Sequence, residues 1–374
     1  MTHKNLRLII VAVASVFLFS ATTSCRKSYR DYDNLEYRID RLCDSIIETT
    51  GLPGMMVGIW SEEKGITYVK GRGVSDLKTK APFSSSQYFR IGSITKTFVI
   101  TAVLQLVDEG KLSLEETLDT YFPTFPRANE VTLRMLCNMT SGIPNYSETA
   151  KFEYELDHNP KKKWKPEELV ALIKNEPYLF DPGTKLYYSN TNTTLLGMIL
   201  EKIEKKKLDE IIDERFVRPL GLKQTYLASG HSLPSNHVHG YMNFTDSLSY
   251  TDDVSESFDI SWAWAAGGMV SSIYELKSWV EALVDGKFLS AKTQQQRFDS
   301  KFPDGTFRYG LGMYTYGGDM WGHNGGLPGY TSIAMHHKKK NITIVIFFNW
   351  QHDEVTPAAL YKELIQLVHP ELGA

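Results

Sequence analysis

Strand signatures stand at both ends of this 374-residue chain, and a long helix-rich stretch lies between them. Met55–Trp60 and Ile66–Val69 read as two strands joined by the polar turn Ser61-Glu62-Glu63-Lys64-Gly65. The signature returns at Tyr309–Tyr316, Tyr330–His336 and Ile342–Phe348, the last two separated by Lys338-Lys339-Lys340-Asn341. Leu35–Ile47 carries apolar residues at helical spacing and ends at Gly51-Leu52-Pro53-Gly54, and a last helical segment covers 356–368. The expected fold class is therefore α+β, an α/β sandwich. One antiparallel sheet is built from both termini and flanked by helices, with a mostly helical domain inserted over about 93–300.

The extreme N-terminus reads as an address. Lys4 and Arg7 precede a 12-residue apolar run, Leu8–Phe19, broken only by Ser15. A membrane-spanning helix needs about 20 apolar residues. A basic flank, a short apolar core and the small residues Ala21-Thr22-Thr23-Ser24 are the pattern of an export signal. These run directly into Cys25, which resembles a bacterial lipobox, with Thr22 where a Leu is more usual. The expected organisation is a signal peptide over 1–24, a lipidated Cys25 with a polar tether over 25–34, and one domain over 35–370. Its expected place is the bacterial cell envelope, periplasmic or surface, with the membrane reached through the lipid. Cys43 and Cys137 are then the remaining thiols, expected as inert buried residues.

Composition serves mainly to exclude. A net charge of −3 leaves no basic footprint for nucleic acid. An aromatic content of 12% argues against a disordered chain. Three scattered cysteines make neither a disulfide scaffold nor a cysteine-built zinc site. His231, His237, His239 and the pair His336-His337 lack metal-ligand spacing, so neither metal nor cofactor is expected. There is no Gly-x-Ser-x-Gly elbow, His-Glu-x-x-His or phosphate loop.

Chemistry concentrates in short segments. Ser-x-x-Lys occurs at Ser24–Lys27, Ser61–Lys64, Ser75–Lys78 and Ser93–Lys96. Only Ser93 follows a short apolar strand and a Gly, then opens a helical pattern of Phe98, Val99, Ala102, Val103 and Leu106. Positions i and i+3 share a helix face, so Ser93 Oγ and Lys96 Nζ can meet, and the helix N-terminus favours an oxyanion there. The plainer alternative is an N-cap serine with a surface lysine. Two more segments follow in order: Tyr187-Tyr188-Ser189-Asn190 before a helix, and Gly322-His323-Asn324-Gly325-Gly326 directly before a strand.

With these three segments in this order, the chain resembles the serine β-lactamase and penicillin-binding DD-peptidase superfamily over roughly residues 36–368, on its class-C-like branch with esterase and transacylase relatives. The resemblance implies a β-lactamase/transpeptidase-like fold and a role for each residue. Ser93 is the nucleophile, Lys96 helps remove its proton, and Tyr188 is the general base and then the acid for the leaving group. Asn190 orients the acyl chain and Lys96. His323 stands where many relatives carry the Lys of Lys-Thr-Gly, followed by Asn324. The N–H groups of Ser93 and Gly326 form the oxyanion hole. Ser261–Met269 matches the family's Ala-Gly-Gly loop.

Physical chemistry adds to this. Free Lys and Tyr titrate near 10, but clustering and burial let such a pair trade one proton. Gly325 and Gly326 let substrate approach the strand backbone. Only one of the adjacent Tyr187 and Tyr188 can face the site. A neutral His323 weakens the demand for an anionic group that a lysine would make. Tyr146, Trp262, Trp264, Trp321 and Tyr330 are candidates for an apolar acyl or leaving-group pocket, with core packing as the alternative.

The expected protein is a secreted serine hydrolase or acyltransferase working through a Ser93 acyl-enzyme, of β-lactamase/D-alanyl-D-alanine carboxypeptidase type. A small-molecule or peptide acyl donor would pass its acyl group to water or to an alcohol or amine. Rival readings are an esterase or transacylase serving a hydroxylated small molecule, a true β-lactamase, and a catalytically dead binding or sensor relative.

Overall fold

The computed structural model describes residues 34–242, 252–299, 302 and 307–372. The expected export signal, Cys25 and nearly all of the tether lie outside the described residues. The chain divides into two units at Thr49/Thr50. The described part of the first is helix α1 (Leu35–Thr50).

In the second unit the two ends of the chain make one sheet. Strands β1 (Gly54–Ser61) and β2 (Ile66–Gly73) form a hairpin at one edge, and the remaining strands come from beyond residue 307. The order is β2-β1-β12-β11-β10-β9-β8, with every pair antiparallel. Here β8 is Arg308–Tyr309, β9 Tyr314–Thr315, β10 Trp321–Leu327, β11 Tyr330–His337 and β12 Ile342–Phe348. The seam between the termini runs from Met55 opposite Phe348 to Ser61 opposite Ile342. All seven residues of β12 are buried, as expected for a strand covered on both faces. Two short three-stranded sheets complete the strands. One joins β3 (Phe89–Arg90), β7 (Met269–Ser271) and β4 (Tyr226–Leu227); the other joins β13 (Trp350–Gln351), β5 (Tyr241–Met242) and β6 (Asp252–Asp253).

Helices cover the sheet and fill the inserted region. Among them are α2 (Thr95–Asp108), α3 (Asn190–Glu204), α4 (Ile273–Asp285) and α5 (Pro357–Val368). In α2 every residue from Thr95 to Leu104 is buried, and in α3 every residue from Thr191 to Leu200. Both helices are therefore core helices, although they bury polar residues such as Lys96, Thr101, Asn192 and Thr193. α5 begins where Thr356 accepts the Ala359 N–H and Pro357 occupies the first turn, where its missing donor costs nothing.

Two strand expectations need correction. The expected Tyr309–Tyr316 strand is a tight hairpin, because Gly310 N–H turns back to Met313 O (2.9 Å) and pairs β8 with β9. The segment around His323, which the sequence reading places directly before a strand, is itself strand β10, paired along its whole length with β11. Its glycines depress strand propensity but suit a second demand. Gly325 lies so close to the turn before α2 that a Cβ would fall 2.0 Å from Ile91 O. From the other side, Gly92 (φ +54) would place a Cβ 2.6 Å from Gly326 N. Ser332 Oγ on β11 donates to the same Ile91 O at 3.0 Å. Backbone thus presses on backbone where the helical region meets the sheet.

The two glycines of β10 differ in this respect, since a Cβ on Gly326 would meet no atom within 4 Å. Gly325→Ala is expected to cost about 2–4 kcal/mol of stability, and Gly326→Ala to stay within about 0.5 kcal/mol. Urea unfolding of both variants checks this; equal losses would contradict the packing argument.

Candidate active site

Ser93 sits in the 3₁₀ turn Gly92–Ile94, which runs straight into α2. From Ile91 to Ile100 it is the one residue that is not buried. The turn is held by Thr95 Oγ1, which donates to Gly92 O (2.7 Å) and accepts from Met269 N–H (3.0 Å). One helical turn on, Lys96 is fully buried. Its Nζ lies 2.9 Å from Ser93 Oγ, 2.8 Å from Asn190 Oδ1 and 2.6 Å from Ala266 O. The i, i+3 meeting expected from the sequence is therefore present.

Asn190 opens α3 and has its amide fixed from both sides. Its Oδ1 accepts from Lys96, while its Nδ2 donates to Ser147 Oγ at 3.0 Å. Ser147 Oγ in turn donates to Asn145 Oδ1 at 3.0 Å, and Asn145 Nδ2 donates to Glu148 Oε1 at 2.8 Å. Tyr187 donates its hydroxyl to the other Glu148 oxygen. Of the two adjacent tyrosines, Tyr188 is the one at the site: its ring centroid lies 4.7 Å from Lys96 Nζ. The Tyr188 hydroxyl oxygen is buried and makes no regular hydrogen bond among the described residues.

His323 projects from β10 into a cage of tyrosines, its ring centroid 6.1 Å from Tyr188, 5.9 Å from Tyr309 and 5.2 Å from Tyr314. Its Nδ1 is 2.6 Å from Asn324 O and its Nε2 3.2 Å from Tyr309 Oη. A carbonyl oxygen only accepts, so Nδ1 carries the proton and Nε2 accepts from the Tyr309 hydroxyl. Only Gly322 of β10 pairs with β9, so from His323 onward the outer edge of β10 has no strand partner among the described residues. Asn324 and Gly326 are the exposed residues of the strand, and Gly326 N lies against Gly92.

Burial sets the protonation of this group. Complete desolvation holds the Lys96 amine well below the ordinary lysine range. The Tyr188 ring face favours an ammonium, but by about 0.5–2 kcal/mol, against several kcal/mol for an unpaired buried charge. Desolvation therefore favours the neutral amine. Burial likewise raises the Tyr188 phenol, opposed in part by the neighbouring Ser93 hydroxyl. His323 is pushed down to about 3, chiefly by burial and then by the charge Lys96 would carry. Burial thus favours the uncharged form of all three groups, amine, phenol and imidazole.

The pocket expectations mostly fail. Tyr146 and Tyr330 are buried, with hydroxyls donated to Trp262 O (2.6 Å) and Val238 O (2.8 Å), so both pack in the interior. Trp321 is buried against Phe298, with Arg308 over its ring at 5.1 Å. Half-buried Trp264 leans on Gly197 of α3 and lines an outer groove with Leu227 and Glu201. Half-buried Trp262 packs on Phe152. These rings fill core volume because that removes their large apolar area from water, and nothing in the sequence marks which aromatic residues face the cleft. Conversely, Tyr309, Tyr314 and the Ser147–Asn145–Glu148 chain carried no signal, since their contacts are tertiary. Cys137 is a buried thiol without a disulfide, and burial pushes it up to about 12. Away from the site, Glu63, His369 and Glu371 converge, but the Lys340 ammonium already stands 3.2 Å from Glu63 and 2.8 Å from Glu371.

With this geometry in hand, comparison with known proteins is informative. A family model described as Beta-lactamase matches residues 39–367. A penicillin-binding protein of Bacillus subtilis (strain 168) is 26% identical over 336 residues, covering 85% of this chain and 73% of its own. D-amino acid amidase from Ochrobactrum anthropi SV3, solved with L-phenylalanine amide, superposes with a TM-score of 0.78 at 28% identity, covering 89% of this chain and 97% of its own. D-stereospecific amidohydrolase from Streptomyces sp. gives a TM-score of 0.78 at 25% identity, covering 88% and 97%.

The neutral amine has a thermodynamic consequence. An unfolded lysine keeps its proton up to about pH 10.4, whereas folded Lys96 releases it well below that. Between those two values the unfolded chain binds more protons, so this residue's contribution to stability rises with pH. Lys96→Met should therefore be more stable than the wild type. The difference should shrink by up to about 1.4 kcal/mol per pH unit as pH climbs. Denaturant titrations between about pH 6 and 9 test this; a pH-independent difference would contradict a neutral Lys96.

Proposed function

Since this chain belongs to the β-lactamase family of serine hydrolases, we propose that it forms an acyl-enzyme at Ser93 and hydrolyses an amide or ester of a small acyl donor with an uncharged leaving group. One observation carries the proposal: the three contacts of Lys96. A neutral amine has two N–H bonds and one lone pair. Asn190 Oδ1 and Ala266 O can only accept, so they take the two N–H bonds. The lone pair is left for the Ser93 hydroxyl at 2.9 Å, within reach for proton transfer. Lys96 is then the base, which differs from the expectation that Tyr188 fills that role.

In the forward step Ser93 Oγ bonds to the acyl carbon as its proton passes to Lys96. The carbonyl oxygen becomes an oxyanion facing the N–H groups of Ser93 and Gly326. Collapse breaks the bond to the leaving amine or alkoxide, which takes a proton from the Tyr188 phenol. Lys96 then returns its proton to Tyr188. Water repeats the sequence in reverse and restores Ser93. Asn190 holds Lys96 in line and, with Ser147, keeps its own amide from flipping.

The substrate class follows from charge. D-alanyl-D-alanine peptides and β-lactams end in carboxylates, and a neutral His323 offers them no cation. The carboxypeptidase and β-lactamase readings lose ground for that reason. The transacylase reading loses its aromatic acceptor pocket, because Tyr146, Trp321 and Tyr330 are interior residues. A dead relative has no cause to keep Ser93, Lys96 and Asn190 at hydrogen-bond distance with Tyr188 against them. Likeness to a D-amino acid amidase and a D-stereospecific amidohydrolase makes D-amino acid amides the first substrates to try.

A fluorophosphonate should add once to the wild type and not to Ser93→Ala by intact mass, and Tyr188→Phe should lower kcat by on the order of a hundredfold with KM little changed. An adduct that persists in Ser93→Ala would overturn the assignment. Export and lipid attachment at Cys25 belong to the same reading; Cys25→Ala should release the protein from membranes, and unchanged membrane association would contradict it.

A further inference from the structure

The base proposed for Ser93 depends on which way the Asn190 amide faces, and a residue outside the three motifs decides that. We propose that Asn145 is a positioning residue: it sets the direction of a hydrogen-bond chain through Ser147 to Asn190, and so leaves the Lys96 lone pair aimed at Ser93. The inference rests on Lys96 acting as the base for Ser93 and adds the residue that selects its productive arrangement.

An uncharged amine beside an amide has two arrangements. In one, Lys96 donates to Ala266 O and Asn190 Oδ1, and its lone pair accepts from the Ser93 hydroxyl. In the other the Asn190 amide is turned over: its NH2 donates to the lone pair, and Lys96 donates to Ser93 Oγ instead. The second satisfies the amine equally well and is inert, because the lone pair is occupied. Lys96 alone does not choose between them, so the choice is made on the far side of Asn190.

There, buried Asn145 has no freedom to turn. Its Oδ1 faces two backbone donors, the N–H of Asn190 at 3.2 Å and that of Ser147 at 3.4 Å. Its Nδ2 faces the Glu148 carboxylate at 2.8 Å, whose other oxygen takes the Tyr187 hydroxyl. The segment carrying Asn145 is clamped to the start of α3. Pro144 O accepts from the hydroxyls of Ser189 (3.1 Å) and Thr191 (2.7 Å), and Tyr146 N–H donates to Thr191 Oγ1 at 3.1 Å. Ser147 Oγ has one hydrogen and lies 3.0 Å from Asn145 Oδ1. A hydroxyl takes the role its neighbours leave it, and an oxygen that can only accept leaves it the donor's. Ser147 then offers Asn190 only lone pairs, so the amide turns its NH2 to Ser147 at 3.0 Å and its Oδ1 to Lys96 at 2.8 Å. Turning Asn190 over would leave two acceptor oxygens competing for the one serine hydrogen, and one oxygen pair in contact without a hydrogen between them. The same orientation serves an ammonium, which donates to all three of its oxygen neighbours. The direction of the chain therefore does not depend on the proton of Lys96.

The test reads the rate at which an alkyl fluorophosphonate labels Ser93, since labelling needs the same proton transfer and no knowledge of the natural substrate. Asn145→Leu and Ser147→Ala should each lower the limiting rate at saturating probe by about tenfold or more, with the half-saturating concentration changed by less than about twofold. Two conservative changes should rescue the rate: Ser147→Thr, which keeps the hydroxyl, and Asn145→Asp combined with Glu148→Gln, which exchanges donor and acceptor across that contact. In an Asn190→Ala background Ser147→Ala should add less than about twofold, because its effect passes through Asn190. A rate for Ser147→Ala within about twofold of the wild type, or a full further loss in the Asn190→Ala background, overturns the proposal. A wild type that does not label at Ser93 would instead overturn the nucleophile and its base, which separates the two failures. A second measurement needs no variant. Neutron diffraction from the wild type should place the Asn190 Nδ2 hydrogens toward Ser147 Oγ, and the Ser147 hydrogen on the line to Asn145 Oδ1. An Asn190 hydrogen pointing at Lys96 Nζ overturns the role of Asn145 directly.

Discussion

An amine without a counter-charge is the constraint on which the rest of this site depends. Lys96 is fully buried and has three oxygen neighbours, none of them a carboxylate. Paired with an acid it would be a permanent ammonium and useless as a base. Left exposed, it would be protonated at neutral pH. Burial among one amide oxygen, one backbone carbonyl and one hydroxyl satisfies the nitrogen without fixing a proton on it. That requirement dictates the neighbours: Asn190 in place of an acid, and the Ala266 carbonyl turned inward from the short helix Trp264–Gly267 before β7. Such an arrangement costs stability, and functional sites commonly carry this cost.

The sheet supplies the other half of the geometry. β1 and β12 join the two ends of the chain, and that seam fixes β11 and then β10 in register. β10 is thereby held against the turn bearing Ser93, with Gly325 and Gly92 permitting backbone contact. Residues 92 and 326 are far apart in sequence, yet their backbones meet through this chain of antiparallel pairings. The helical region contributes Lys96, Tyr188 and Asn190; the sheet contributes His323 and Gly326. Neither part alone contains the cleft.

What could be read in advance divides along the same line. Ser93 with Lys96 was legible because helical spacing brings i and i+3 together. The sheet from both termini was legible because alternation and turn residues are local signals. The β10 strand was not, since Gly322, Gly325 and Gly326 depress every strand propensity; their reason is the tertiary contact with Ile91 and Gly92. The aromatic residues misled for a related cause. Tyr146 and Tyr330 bury their rings and find backbone carbonyls for their hydroxyls, and no pattern along the chain separates that from lining a cleft. Tyr309 is the converse case, an ordinary strand tyrosine by its sequence whose hydroxyl lies 3.2 Å from the His323 imidazole.

Neutrality at rest also bears on how the reaction gains its rate. In the proposed reaction, transfer of the Ser93 proton would create an ammonium on Lys96 at the moment when the attacked carbonyl becomes an oxyanion. Opposite charges formed together in a buried site attract far more strongly than they would in water. A resident carboxylate would already have claimed the ammonium, and a permanent cation at position 323 would have drawn the oxyanion away from the N–H groups of Ser93 and Gly326. The nearest acid in the hydrogen-bonded chain, Glu148, is exposed and stands behind Ser147 and Asn145. Charge is thus absent before the bond is made and present while it is being made, which is the difference between ground state and transition state that a catalyst needs.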